Sequence, residues 1–198
     1  TAGTHVTPRQ TNAIVNADLL AAPTGALARD YASVGLLPEG LRKPAGLTLA
    51  TSTAGVLLDV GASIEADAQA VVALSAASTA DIRGSIVAHG GTINVSGGNI
   101  LVESTALLDV SGTFVLNPKV VAYSTGTVLD GGSIALSVPN SSIAPGTIIA
   151  QTGAQFDLQG AGVSATSGLV RFSARDSGQN AWSNGGSLQL VGTDVYFA

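Results

Sequence analysis

"GGTINV" at Gly90–Val95, "GGSIAL" at Gly131–Leu136 and "GGSLQL" at Gly185–Leu190 are one phrase written three times. A glycine pair, a small hydroxyl residue and then apolar–any–apolar is a turn that feeds a strand. The copies stand 41 and 54 residues apart. A second phrase, Asp–aliphatic–any–Gly, interleaves with the first: "DIRG" at Asp81–Gly84, "DVSG" at Asp109–Gly112 and "DLQG" at Asp157–Gly160, with "LLDVG" at Leu57–Gly61 as a shortened form. The order is therefore strand, spacer, apolar–Asp–aliphatic strand, glycine corner, and back to the first strand.

Two further counts set the period, 24 residues from Leu47 to Val71 and 22 from Val71 to Ile93. Short strands and glycine corners at such a period mark a solenoid, in which each rung buries its apolar residues only against its neighbours. On this reading the chain turns the same corner on successive circuits, where positive φ or close packing excludes a Cβ. Ile93, Val95, Ile100, Val102, Ile134 and Leu136 fill alternating slots and are expected to point inward. The intervals of 41 and 54 are two rungs each, stretched by loops such as "FVLNPKVVAYSTGTVLD" and "ARDSGQNAWSN".

Composition agrees. Of 198 residues, 25 are Gly, only 4% are aromatic and none is Met, so the apolar content rests on Val, Ile, Leu and Ala. Small and β-branched residues suit stacked strands better than a bulky globular centre. A β-sandwich would use longer alternating strands and a buried Trp, whereas Trp182 lies in the polar "NAWSNGG". An open antiparallel sheet would leave long edges.

The texture changes near Pro44. Residues 1–44 hold four of the 7 prolines and two apolar clusters that do not alternate. "ALARDYASVG" at Ala26–Gly35 reads as two turns of helix closed by Gly35. The expected organisation is an irregular, partly helical cap or excursion over 1–44 and an all-β parallel β-helix of about six rungs over 45–198, roughly 30 Å of axis.

Charge excludes several functions. Only 11% of residues are charged and the net charge is −5 with no basic patch, which argues against nucleic acid. No apolar run is long enough to span a membrane. The opening "TAGTHVTPRQ" has neither an initiator Met nor a signal peptide, as expected of a piece processed from a longer precursor. The absence of Cys removes disulfides, thiolate catalysis and Cys-based zinc sites.

Chemistry-bearing residues are sparse. His5 and His89 are the histidines, and neither has a Ser or Asp beside it in sequence as a triad partner, so His89 reads as a turn residue. Asp59, Asp81, Asp109 and Asp157 invite a calcium or carboxylate-ladder reading. The nonapeptide calcium pattern is missing, however, and each stands near a Gly where its side chain caps a turn. A polysaccharide lyase or hydrolase would need clustered carboxylates or bases on one face, and Arg171, Arg175 and Asp176 are the nearest such group. "GGTINVSGG" lacks the Lys-Ser/Thr and following helix of a nucleotide loop. "LTLAT" and "TSTAG" only faintly suggest the Thr-x-Thr ladder of an ice-binding solenoid. No catalytic residue, cofactor or metal site is expected.

"ALLDVSGTFVLNPKVVAYSTGTVLDGGSIALSV" at Ala106–Val138, followed by "GTIIAQTGAQFDLQGAG" at Gly146–Gly162, resembles the repetitive region of filamentous haemagglutinin-type large exoproteins. The likeness covers residues 46–175, and its motifs are degenerate. It implies a right-handed parallel β-helix, exported through an outer membrane by a dedicated partner pore and used at the bacterial surface as an adhesin or matrix component. The Asn-Pro-Asn-Gly-type signals of that family's secretion domain do not occur in the chain.

The expected function is that of a non-enzymatic structural segment of an extracellular adhesin, with self-association or continuation into further rungs as its partner, besides a host or matrix receptor. The alternatives are a processed subunit that polymerises and a polysaccharide-binding or polysaccharide-cleaving β-helix. The "LQLVGTDVYFA" at Leu188–Ala198 carries no amphipathic helix or charged edge to close a rung. Leu188, Leu190, Val195, Tyr196 and Phe197 are therefore the candidate end-to-end interface.

Overall fold

The computed structural model describes residues 5–6, 11–15, 32–36, 39–116, 126–139, 145–163 and 181–198. Strands β1 (His5–Val6), β2 (Thr11–Val15) and β3 (Ala32–Leu36) come first, followed by a 3-10 turn at Glu39–Leu41. Four circuits of three strands then follow. They are β4 (Leu47–Ala50), β5 (Val56–Leu58) and β6 (Ser63–Glu65); β7 (Val71–Ser75), β8 (Thr79–Ile82) and β9 (Ser85–Val87); β10 (Thr92–Ser96), β11 (Asn99–Val102) and β12 (Leu107–Asp109); and, after the hairpin β13 (Phe114–Leu116) and β14 (Gly126–Val128), β15 (Ser133–Ser137), β16 (Thr147–Ala150) and β17 (Gln155–Asp157). A second hairpin, β18 (Gly162–Val163) and β19 (Ala181–Trp182), leads to β20 (Ser187–Val191) and β21 (Asp194–Phe197).

The circuits stack into three sheets, each 5-stranded and parallel throughout. Sheet I is β4-β7-β10-β15-β20, sheet II is β5-β8-β11-β16-β21 and sheet III is β1-β6-β9-β12-β17. The chain visits them in the order I, II, III on every circuit, an arrangement that fits a β-solenoid. Residues 47–198 supply four complete circuits and two sides of a fifth, where about six rungs were expected. The difference arises because the chain between β12 and β15 and between β17 and β20 is long, and the hairpins described there, β13–β14 and β18–β19, pair antiparallel within themselves rather than with the three sheets.

The core is a set of columns, one residue per level. Val72, Ile93 and Ile134 stack in sheet I beside Leu74, Val95 and Leu136. Ala80, Ile100 and Ile148 stack in sheet II, and Ile64, Ile86 and Leu108 in sheet III. All of these are buried, as is Val102 in sheet II, so the six residues expected to point inward all lie in the core. Alternation makes this so, because in a strand such as Ser133–Ser137 every second side chain faces the interior. Two outer columns of sheet I are hydroxyl-rich. Ser96 donates to Ser75 at 3.1 Å, and Thr92 and Ser133 hydroxyls lie 3.2 Å apart.

The corner between sheets III and I explains the glycine pairs. The second glycines, Gly91, Gly132 and Gly186, lie over one another, and a Cβ on either of the upper two would fall well inside contact distance of the carbonyl oxygen of the glycine below. The levels are held at that spacing by Ser133 N donating to Gly91 O and Ser187 N to Gly132 O, both at 2.9 Å. The first position of the pair is a left-handed turn at Gly90 (φ 61) and at its equivalent one level down, Gln69 (φ 62). Gly131 and Gly185, where the insertions re-enter, are not at positive φ, and a Cβ on Gly131 would strike the Gly186 nitrogen.

Three expectations need correction. Helix over Ala26–Gly35 fails at its carboxyl end, where Ala32–Leu36 is a strand paired antiparallel with Thr11–Val15; Ala26 to Tyr31 lie outside the described residues. Cross-strand pairing overrides a weak helix propensity there. β1, within the segment read as irregular, joins sheet III beside β6. Val71, from which the period was counted, is one residue off the register, since Leu47 and Ile93 both pair with Val72, leaving Val71 49% exposed on the outer face.

Candidate functional site

β20 and β21 end sheets I and II at the carboxyl-terminal face. They form because "SLQLV" and "DVYF" continue the alternation of the strands below, with Leu188 on Ile134, Leu190 on Leu136, Val195 on Ile148 and Phe197 on Ala150. These four therefore occupy interior columns and are the last described residues in them. Leu188 and Leu190 are partly buried against the core, whereas Val195 (37%) and Phe197 (59%) are exposed. Tyr196 does not share their face. It pairs with Ile149, which is on the outer side between buried Ile148 and Ala150, so Tyr196 belongs to the side wall of sheet II. Sheet III stops one level lower, at β17, and the resulting notch is flanked by Phe156 and Phe197, whose rings are 6.5 Å apart and tilted by 59°. Such tilted pairs are favourable, and this one covers part of the core end.

The other end was not singled out in the sequence, although the same alternation marks it. Leu49 (44%) and Val6 (36%) are exposed at the first levels of sheets I and III, and Leu47, Val56 and Leu58 are partly buried. They head the columns that Leu190, Phe156, Leu188, Val195 and Phe197 end.

The structure separates the four aspartates. Asp109 and Asp157 stack in sheet III, but Asp81 lies in sheet II beside Leu57 and Leu101, so "DIRG" is not the equivalent of "DVSG" and "DLQG". Turn capping is observed where backbone N–H groups donate to these carboxylates, Ser111 to Asp109 at 2.8 Å, Gln159 to Asp157 at 3.1 Å and Val60 to Asp59 at 2.8 Å. Asp81 instead pairs with Arg83 at 2.6 Å, a contact that raises the guanidinium pKa above its ordinary value.

One level of stacking brings His89 to Ser111 and Asp109, neighbours invisible in the linear sequence because they are about a circuit away. His89 Nδ1 lies 3.1 Å from Ser111 Oγ and 3.7 Å from Asp109 Oδ1. Both contacts fall on the same ring nitrogen, whereas a nucleophilic triad needs the serine on one nitrogen and the carboxylate on the other. Arg171, Arg175 and Asp176 lie outside the described residues, as does the side chain of His5. Among the described residues no group of three or more His, Asp or Glu is placed to hold a metal ion, and no helix is long and apolar enough to cross a membrane.

A buried ion pair was also missed. Arg42 and Asp67 have side chains only 5% and 3% exposed, and Asp67 accepts from Arg42 Nε and from Ala45 N, each at 3.1 Å, with a shorter Arg42 Nη2–Asp67 Oδ1 contact besides. The pair helps line a cavity of about 300 Å³ to which Pro44, Gln69, Val115 and Leu129 also contribute. It pins the incoming segment to the corner. Asp67→Ala is expected to cost about 3–5 kcal/mol, because it removes one partner of a buried, hydrogen-bonded ion pair. The denaturation midpoint should fall accordingly, and limited proteolysis should open first within residues 39–46.

Comparison of the chain with protein-family models, with curated proteins and with solved structures returns no match.

Proposed function

We propose that this chain is a non-enzymatic structural segment of a secreted adhesin or matrix exoprotein of the filamentous haemagglutinin type, wound as a right-handed parallel β-helix and displayed at the bacterial surface. The observation that carries the reading is the residue-by-residue parallel register kept over five levels in all three sheets. A body built that way repeats identical backbone hydrogen bonds along its axis and is stiff in that direction. Outer columns of sheet I carry Ser and Thr hydroxyls that bond from level to level, which suits a rod with few charges on that face. Both insertions leave from the corner between sheets III and I, so their hairpins line one edge of the rod, where a receptor would meet them.

Beads coated with the chain should be retained on epithelial cells or extracellular matrix more strongly than beads coated with an unrelated β protein. The same material, incubated with polygalacturonate, alginate and chondroitin sulfate, should release neither reducing ends nor unsaturated uronates. Retention equal to the control overturns the adhesive reading, and sugar release establishes the polysaccharide-cleaving alternative.

A further inference from the structure

The outer walls of the stack differ in chemistry. The middle outward column of sheet I is Thr48, Ala73, Asn94, Ala135 and Gln189, small or polar throughout. The corresponding column of sheet II is Leu57, Asp81, Leu101, Ile149 and Tyr196. Leu57 and Tyr196 are each 57% exposed and Ile149 is 37% exposed, with Leu101 half-buried between them and Asp81. Asp81, the charged member, is matched within the wall, because Arg83 at the end of β8 donates to it from Nη2 at 2.6 Å and from Nε at 3.1 Å. Contiguous apolar side chains on an outer face mark an interaction surface. This one is a flank of the stack and not an end, so it does not depend on where the circuits begin or stop.

We propose that this wall is the contact between two copies of this chain, packed sheet II against sheet II with their stacking axes antiparallel. A two-fold axis along the strands, passing between β11 and β16, sets Leu101 of each copy against Ile149 of the other and Tyr196 of each against the Asp81–Arg83 pair of the other. That match singles out a second copy as the occupant. The apolar middle meets an apolar middle, and at each end an aromatic ring covers a guanidinium and presents its hydroxyl to a carboxylate. Parallel axes would instead oppose Asp81 to Asp81, two like charges, and leave both guanidinium groups without a ring. Two such sheets pack aligned and about 10 Å apart. The contact is isologous and closes at a dimer. With levels spaced by about 4.8 Å, the wall is about 20 Å tall and three side chains wide. That is small for a specific interface, so the dimer is weak and forms as concentration rises. The inference goes beyond the adhesin reading and does not rest on it.

Sedimentation equilibrium of the chain, carried up to about 1 mM, should show a monomer passing to a dimer and no further. Leu101→Asp and Ile149→Lys each set a charge against an aliphatic side chain of the other copy, so each variant alone should stay monomeric while keeping the wild-type β-sheet circular dichroism. Mixed in equal amounts they should dimerise again, because antiparallel packing brings the new carboxylate of one onto the new ammonium of the other. Parallel packing gives no such rescue. Tyr196→Ala should raise the dimer Kd about tenfold or more, and it serves as a second variant in case either of the first two loses its fold. Val71→Asp, on the outer wall of sheet I, should leave association unchanged. A folded wild-type chain that stays monomeric over the whole range overturns the proposal and leaves the wall to a partner other than this chain. Undiminished dimerisation of Leu101→Asp, or a mixture of folded variants that stays monomeric, overturns it as well. Those results concern the lateral contact alone, whereas the adhesin reading fails on the retention and polysaccharide assays.

Discussion

Ile134→Asp is expected to abolish cooperative folding of the chain. Ile134 is fully buried, with Ile93 below it and Leu188 above it in one column. Deleting the aliphatic side chain alone costs about 2–5 kcal/mol. The carboxylate that replaces it has no cation among the column's neighbours, and burying an unpaired charge adds several kcal/mol more. Together these approach the whole stability of a domain, about 5–15 kcal/mol. At neutral pH the variant should show no sharp thermal transition by circular dichroism. Val71→Asp is the control, placing the same carboxylate on the outer face of β7, two strands away in the same sheet. Its effect should stay within about 0.5 kcal/mol. A wild-type melt for Ile134→Asp, or a collapse for Val71→Asp, contradicts the register.

Gly132→Ala, a change of one methyl group, should destabilise the fold by about 3 kcal/mol or more through overpacking and backbone strain. The new Cβ would press on the backbone of Gly91, and that backbone cannot withdraw without stretching the hydrogen bond from Ser133 N to Gly91 O. Gly162→Ala should be nearly neutral, since nothing lies within 4 Å of a Cβ there. The denaturation midpoints of the two variants check the contrast. Equal midpoints would mean that the second glycine of each pair is not held against the level below.

The sequence by itself determined the parallel stack and its inner face. Alternation in "TINV", "NILV" and "SIAL" left one side of each strand apolar, and the glycine pair marked a corner turned repeatedly, so the six inward residues were legible without coordinates. The tertiary structure decided which residues lie level with which. Corner lengths vary from circuit to circuit, so a sequence period in the low twenties admits a slip of one residue, and only hydrogen-bonded pairing selects Val72 over Val71. The same ambiguity put Asp81 in one class with Asp109 and Asp157, although it stands on a different sheet. Contacts one circuit apart, such as Arg42–Asp67 and His89–Ser111, carry no local pattern, because stacking rather than chain neighbourhood creates them. Likewise, β1 reads as a strand of sheet III only through its pairing with β6.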